Sequence, residues 1–138
     1  MTSTKFLMKA CVIMVELLAV GIGGCLGSCL RYAFNKLTEN FALIPLGTLL
    51  SNVIAGFFIG FIIGLEQQSV KISNNTKLFL TTGLMGGLST FSTFSLETIN
   101  LFKAGKYLSA GGNIVLNLAL SLAGTVLGML AAKIFVKT

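Results

Sequence analysis

Residues 81–97 read TTGLMGGLSTFSTFSLE, and how they are read decides the fold. They lie in a segment that starts at Lys77 and runs to a second basic cluster, Lys103 and Lys106. Such a segment is long enough to cross a membrane, which takes roughly 20 apolar residues in a helix. Yet Gly83, Gly86 and Gly87 are poor helix formers, and Ser89, Thr90, Ser92, Thr93 and Ser95 follow them around Phe91 and Phe94. Non-helical backbone at membrane depth survives only where protein or a cavity surrounds it. The stretch therefore predicts a span broken near its middle, with function attached to the break.

Composition places that span in its setting. The 138 residues predict a single domain; 54% are hydrophobic, 10% are charged, and His and Trp are absent. A soluble domain this small would lack a polar surface, so the chain reads as an all-α integral membrane protein. Its net charge of +6 is spread in small clusters between apolar runs, which suits lipid headgroups and not nucleic acid. The acids Glu16, Glu39, Glu66 and Glu97 are too far apart to form an obvious catalytic pair. Without histidine or a nucleophile–base pair, an enzyme is not expected. Cys11, Cys25 and Cys29 share the first apolar segment. Cys25 and Cys29 are too distant along one helix for an easy disulfide, and no second cluster of soft ligands completes a metal site. All three read as small, buried packing residues.

Four spans are expected, at about 11–34, 41–65, 77–102 and 107–135. The first is too long, and its end too basic, for a cleaved signal peptide. Four crossings put both termini and the loop after the second span on one side, with Lys5, Lys9, Lys71, Lys77, Lys133 and Lys137. Arg31, Lys36, Lys103 and Lys106 face the other. Lysine and arginine bias sets orientation, and this bias is weak. Insertion in both orientations is permitted, and with it an antiparallel dimer; a fixed topology with cytoplasmic termini is the alternative.

Small and polar residues then describe the packing. Asn52, Gly56, Gly60 and Gly64 form a ridge at intervals of four, echoed by Gly23 and Gly27 and by Gly124 and Gly128. Such ridges let backbones approach closely, so a permeation path is expected at a subunit interface or in a narrow groove. Ser109, Asn113, Asn117, Ser121 and Thr125 also recur every four residues, each step advancing about 40° past a full turn. This slowly winding stripe reads as a polar track replacing water around a moving ion, or else as a helix–helix hydrogen-bond seam. At the break, freed carbonyls suit a cation. Phe91 and Phe94 share a face, and the positive edges of their rings can touch an anion without binding it tightly. Asn52 and the neighbouring hydroxyls, Ser92 and Thr93 among them, can add hydrogen bonds.

With those residues in view, GGCLGSCLRY (23–32), IPLGTLLSN (44–52) and TTGLMGGLSTFSTFSLE (81–97) closely resemble the Fluc, or CrcB, family of fluoride channels. The third motif is highly specific, and the resemblance extends over nearly the whole chain. It implies an antiparallel homodimer of dual-topology subunits in the cell inner (plasma) membrane, with two passive pores that expel fluoride from the cytoplasm. By position, Phe91 and Phe94 match pore-lining phenylalanines and Asn52 matches the pore asparagine. Gly86 and Ser89 match the carbonyl ligands of a structural sodium ion on the dimer axis; the family often has threonine where Ser89 stands. Arg31 matches an arginine near the aqueous vestibule. Asn113, Asn117 and Ser121 occupy the places of a fourth-span track that mixes tyrosine and serine in relatives.

Two rivals are carried forward. A small proton-coupled multidrug exporter would need an embedded carboxylate, for which Glu16 is the candidate. A non-transporting membrane subunit would leave the break and both polar stripes unexplained. Glu97 and Arg31 fall at the same membrane face by span counting, so an ion pair between them is possible.

Overall fold

In lipid a backbone must satisfy its own polar groups, which favours helix wherever apolar residues run between basic clusters. The computed structural model describes residues 2–40 and 43–137, and all of its regular structure is helical. Helix α1 runs Thr2–Thr38, α2 Leu46–Gln67 and α6 Tyr107–Lys137. Three helical stretches are long and apolar enough to cross a membrane: Leu7–Thr38, Leu46–Gln67 and Tyr107–Lys137.

The chain between α2 and α6 is divided. It comprises α3 (Asn74–Leu78), a π-helical stretch at Phe79–Met85, the short α4 (Gly86–Leu88) and α5 (Phe91–Lys103). Each piece alone is shorter than a span. Helix α1 extends past the expected 11–34 at both ends. Pro45, lacking an N–H, occupies the N-cap of α2 and fixes its start; the expected start at Phe41 lies outside the described residues.

Tight turns hold the elements end to end. After α5, Gly105 adopts φ +72°. Its N–H bonds the Phe102 carbonyl at 3.0 Å, and the Lys106 N–H bonds that of Leu101 at 3.0 Å. That pairing closes a Schellman cap, for which a left-handed glycine is the ordinary residue. Ser69, with φ 64°, makes the equivalent turn after α2.

Two glycine seams set the packing. Along α2 and α6, a Cβ on Gly56 would meet the Ser121 carbonyl at 2.8 Å and one on Gly64 would meet the Ala132 Cβ at 2.8 Å. From the other side, a Cβ on Gly124 would meet the Val53 carbonyl at 3.0 Å, and one on Gly128 would collide with the Phe57 carbonyl. The ridges thus interlock reciprocally. Along α1, Gly23 and Gly27 lie against the backbone around Gly83, Leu84 and Gly87. The glycines at 83 and 87 therefore do more than weaken a helix: they let α1 come close. Ala55, Met85 and Leu88 form the small buried core where α2 and the divided segment meet.

The cysteines are a correction. Cys11, Cys25 and Cys29 are free and exposed, not buried. The reason is that α1 packs through a narrow strip, with Gly23 and Gly27 its buried positions among the described residues. Its other faces, including Leu17, Leu18, Ile22 and Leu26, present apolar side chains outward, as a lipid-facing helix does.

The seam makes a direct prediction. Gly128→Val should lower stability by about 1–3 kcal/mol through overpacking against the Phe57 carbonyl. Gly112→Ala, with nothing within 4 Å of its added Cβ, should be neutral or slightly stabilising. Thermal unfolding of the detergent-solubilised protein followed by circular dichroism checks both.

Candidate functional site

Between α4 and α5 the backbone leaves the helix. Ser89 (φ −73°, ψ 152°) and Thr90 (φ −155°, ψ 120°) are extended. Two side-chain acceptors replace the helical ones there. The Thr90 N–H donates to Asn52 Oδ1 at 2.8 Å, and the Thr93 N–H donates to Thr90 Oγ1 at 3.2 Å, the ordinary role of a threonine N-cap. In a continuous helix those two N–H groups would bond the carbonyls of Gly86 and Ser89. The interruption thus withdraws the normal partners of those two carbonyls, and the donors find new ones.

Polar side chains run on from Asn52. Its Nδ2 donates to Asn117 Oδ1 at 2.9 Å and, at 3.4 Å, to the Thr90 carbonyl. Asn117 Nδ2 donates to Asn113 Oδ1 at 2.9 Å and to the Asn113 carbonyl at 3.1 Å. Asn113, fully buried, donates from Nδ2 to Thr98 Oγ1 at 2.9 Å, and Thr98 in turn donates to the Phe94 carbonyl at 2.8 Å. Buried amides require such partners, because an unmatched one costs about 1–3 kcal/mol.

Beside this network lies a groove of about 310 Å³, lined on its polar side by Asn52, Ser89, Thr90, Asn117 and Ser121. Phe91, Phe94, Leu118 and Leu122 are among its apolar walls. The two phenylalanine rings lie 5.6 Å apart, tilted by 51°. Phe94 is buried, whereas Phe91 is 75% exposed at the groove's edge. Ser121 Oγ is buried and has no hydrogen-bond partner.

A second cavity, about 510 Å³, opens where α1 ends, between Tyr32, Asn35, Lys36, Pro45, Glu97 and Lys106. Glu97 Oε1 accepts from Thr48 Oγ1 at 2.8 Å, while its Oε2 is buried without a partner. Arg31 reaches Thr93 Oγ1 at 3.4 Å. The possible Arg31–Glu97 ion pair is therefore not formed: each group is turned to a different hydroxyl. The ion pairs among the described residues are Lys36–Glu39 and Lys77–Glu66.

The three quoted motifs thus meet in space, with Arg31, Asn52 and the Phe91–Phe94 turn all within one hydrogen-bonded neighbourhood. Residues 18–129 match the family described as CrcB-like protein, Camphor Resistance (CrcB). The chain belongs to the CrcB family. Among similar proteins is the Fluoride-specific ion channel FluC of Clostridium novyi (strain NT), 48% identical over 117 residues, covering 83% of this chain and 91% of the relative. The protein of that name from Paraburkholderia phymatum is 46% identical over 116 residues (83% and 92%), and that from Pyrococcus abyssi 43% over 112 residues (81% and 91%). These CrcB relatives carry the name of ion channels, not of enzymes.

Within this CrcB chain the expected site residues do not all share one place. Phe91, Phe94, Asn52, Asn117, Ser121 and Ser89 share the groove. Asn113 and Thr93 stand behind its lining, Asn113 as a buried partner of Asn117 and Thr93 through its bonds with Thr90, whereas Ser92 is exposed, 3.3 Å from the Thr90 hydroxyl. Gly86 is exposed, with a Cβ there meeting nothing closer than the Thr81 carbonyl at 3.6 Å. Thr98 and Thr48 are participants that sequence reading missed. Thr98 lies four residues after Phe94, on the same helix face, and that spacing is the available signal. Thr48 lies within the quoted stretch IPLGTLLSN, but nothing there marks its hydroxyl as the partner of Glu97.

Thr48→Val should leave both Glu97 oxygens without partners and cost about 1–3 kcal/mol. Thr48→Ser should retain stability. Thermal unfolding of both variants in detergent measures the difference.

Proposed function

We propose that this chain is a fluoride-selective channel that passively exports fluoride from the cytoplasm and so lowers its toxicity. The observation that carries the reading is the groove at the Ser89–Thr90 interruption, where two phenylalanines and an unpartnered serine hydroxyl meet. Relatives named as fluoride-specific channels supply the ion. Segments α3 to α5 together run from Asn74 to Lys103, which gives the length for a fourth crossing broken near its middle. Four crossings, the weak lysine and arginine bias and the broad apolar outer faces support dual-topology subunits paired as an antiparallel homodimer, each with its spans in the cell inner membrane.

Fluoride is small and strongly hydrated, so removing its water is costly unless donors replace it. Ring edges at Phe91 and Phe94 and the Ser121 hydroxyl offer such contacts without a fixed positive charge. Contacts of that strength allow release as well as binding, which conduction needs. Arg31, half-buried beside Thr93, adds positive potential near the vestibule and concentrates anions there. Hydrogen fluoride enters a cell as a neutral acid and dissociates inside, so a passive outward path for the anion is useful.

A structural, untransported sodium ion at the dimer centre fits the same backbone. No group of three His, Cys, Asp or Glu suited to a metal occurs among the described residues. Gly86 and Ser89 instead have carbonyls whose usual helical donors are engaged by Asn52 and Thr90. Carbonyl oxygens alone suffice for a hard monovalent cation. Bound there, sodium would supply a fixed positive charge.

The exporter alternative rests on Glu16, whose Oε1 accepts from Asn74 Nδ2 at 2.7 Å. Ion efflux from liposomes separates the two. The unmodified protein should release fluoride much faster than chloride, Phe91→Ile should lose most of that flux, and Glu16→Gln should keep it. Folded protein with no fluoride flux, or flux abolished by Glu16→Gln, would refute the channel.

A further inference from the structure

Helix α1 runs well past its neighbours at its N-terminal end. Glu16 accepts from Asn74, at the start of α3, and Glu66, one residue before α2 ends, pairs with Lys77 of α3. These residues mark one face of the bundle, and Ala132 of α6 meets Gly64 of α2 close to it. From Glu16 to the end of α1 at Thr38 the helix rises about 33 Å at 1.5 Å per residue. That matches a hydrocarbon core of roughly 30 Å. Residues 2–15 therefore continue outward from the marked face, as an arm of about 21 Å. Every side chain described in the arm, from Leu7 to Val15, is exposed. The match to the CrcB family begins only at residue 18.

The arm alters the balance of charge across the membrane. Without it, the marked face carries Lys71, Lys77, Lys133 and Lys137, and the opposite face carries Arg31, Lys36, Lys103 and Lys106. Four positions stand against four, which gives no bias. The arm adds Lys5 and Lys9, with no acid before Glu16 to offset them. The weak bias of the whole chain is thus carried by the arm alone. Lysines flanking a crossing are retained on the cytoplasmic side. The arm's apolar side chains pass through lipid easily, but its two lysines do not.

We infer that the arm is an orientation determinant: the body of the chain inserts either way, and Lys5 and Lys9 keep most copies with the arm in the cytoplasm. This rests on the four crossings proposed above and not on the ion. In an antiparallel homodimer, copies whose arm has crossed are then the scarcer partner, and their number limits how many pairs form.

Cys11 lies on the arm and is exposed, so it marks the arm once Cys25→Ala and Cys29→Ala remove the cysteines of the span. Spheroplasts expressing this full-length chain are treated with a membrane-impermeant maleimide, before and after permeabilisation. A minority of Cys11 should be labelled from outside. Lys5→Gln/Lys9→Gln should raise that share to about half, as an even count requires, and Lys103→Gln/Lys106→Gln should lower it. An even split with both arm lysines present, or an unchanged share in Lys5→Gln/Lys9→Gln, overturns the inference. Should that variant fail to accumulate, the share in the chain with both lysines decides. In a chain without other cysteines, Val136→Cys should be labelled in the same share as Cys11; the opposite share would remove the four crossings, and the even count with them. If no Cys11 is labelled from outside, the arm's role stands and the antiparallel homodimer falls. Neither readout depends on fluoride, so the arm can fail while the channel stands, and the reverse.

Discussion

The hydrogen bond from the Thr90 N–H to Asn52 Oδ1 is the contact on which the rest of the site depends. A backbone donor inside an apolar environment has to find an acceptor. Because a side chain of α2 provides one, the chain can leave the helix at Ser89 without stranding that donor. Thr90 then becomes the N-cap of a new helix, whose first turn sets Phe91 and Phe94 side by side. Take away the amide at position 52, and the cheapest way to satisfy Thr90 is to rebuild the α-helical bond to Gly86, which would rotate everything after it.

That contact is possible only because the helices lie unusually close. The α2–α6 seam is built from glycines on both sides, and each would meet the other helix's backbone if it carried a Cβ. The α1 seam against Gly83 and Gly87 does the same for the first half of the divided segment. Without a hydrophobic force between helices in lipid, close packing and interhelical hydrogen bonds have to hold them. The glycine seams and the asparagine path are therefore one design: small residues bring the backbones together, and the amides fasten them.

Much of this was legible in sequence. The spacing of Asn52, Gly56, Gly60 and Gly64 marked a packing face, and that face does meet α6. The polar stripe of α6 was also visible, and one of its two readings, the hydrogen-bond seam, describes Asn113 and Asn117. Asn117 also reaches across to Asn52, while Ser121 lines the groove with its Oγ buried and unpartnered. What sequence could not give was the third dimension of side-chain pairing. Thr98 closes the path because α5 and α6 turn back on each other at Gly105, and Thr48 meets Glu97 across elements 49 residues apart. The cysteines were misread because an apolar residue in a membrane helix has no periodic signal separating core from outer surface: lipid is as apolar as a protein interior.

The groove at the interruption combines features a weakly held anion needs: aromatic rings, an unpartnered serine hydroxyl in its wall and little fixed charge. A planar bilayer containing the purified protein, with sodium fluoride and sodium chloride mixed on both sides in opposite gradients, examines the proposed pore directly through its reversal potential. A potential close to the fluoride equilibrium value is expected. A potential at the chloride or sodium value, or a bilayer that carries no current with folded protein present, would contradict a fluoride pore in this chain.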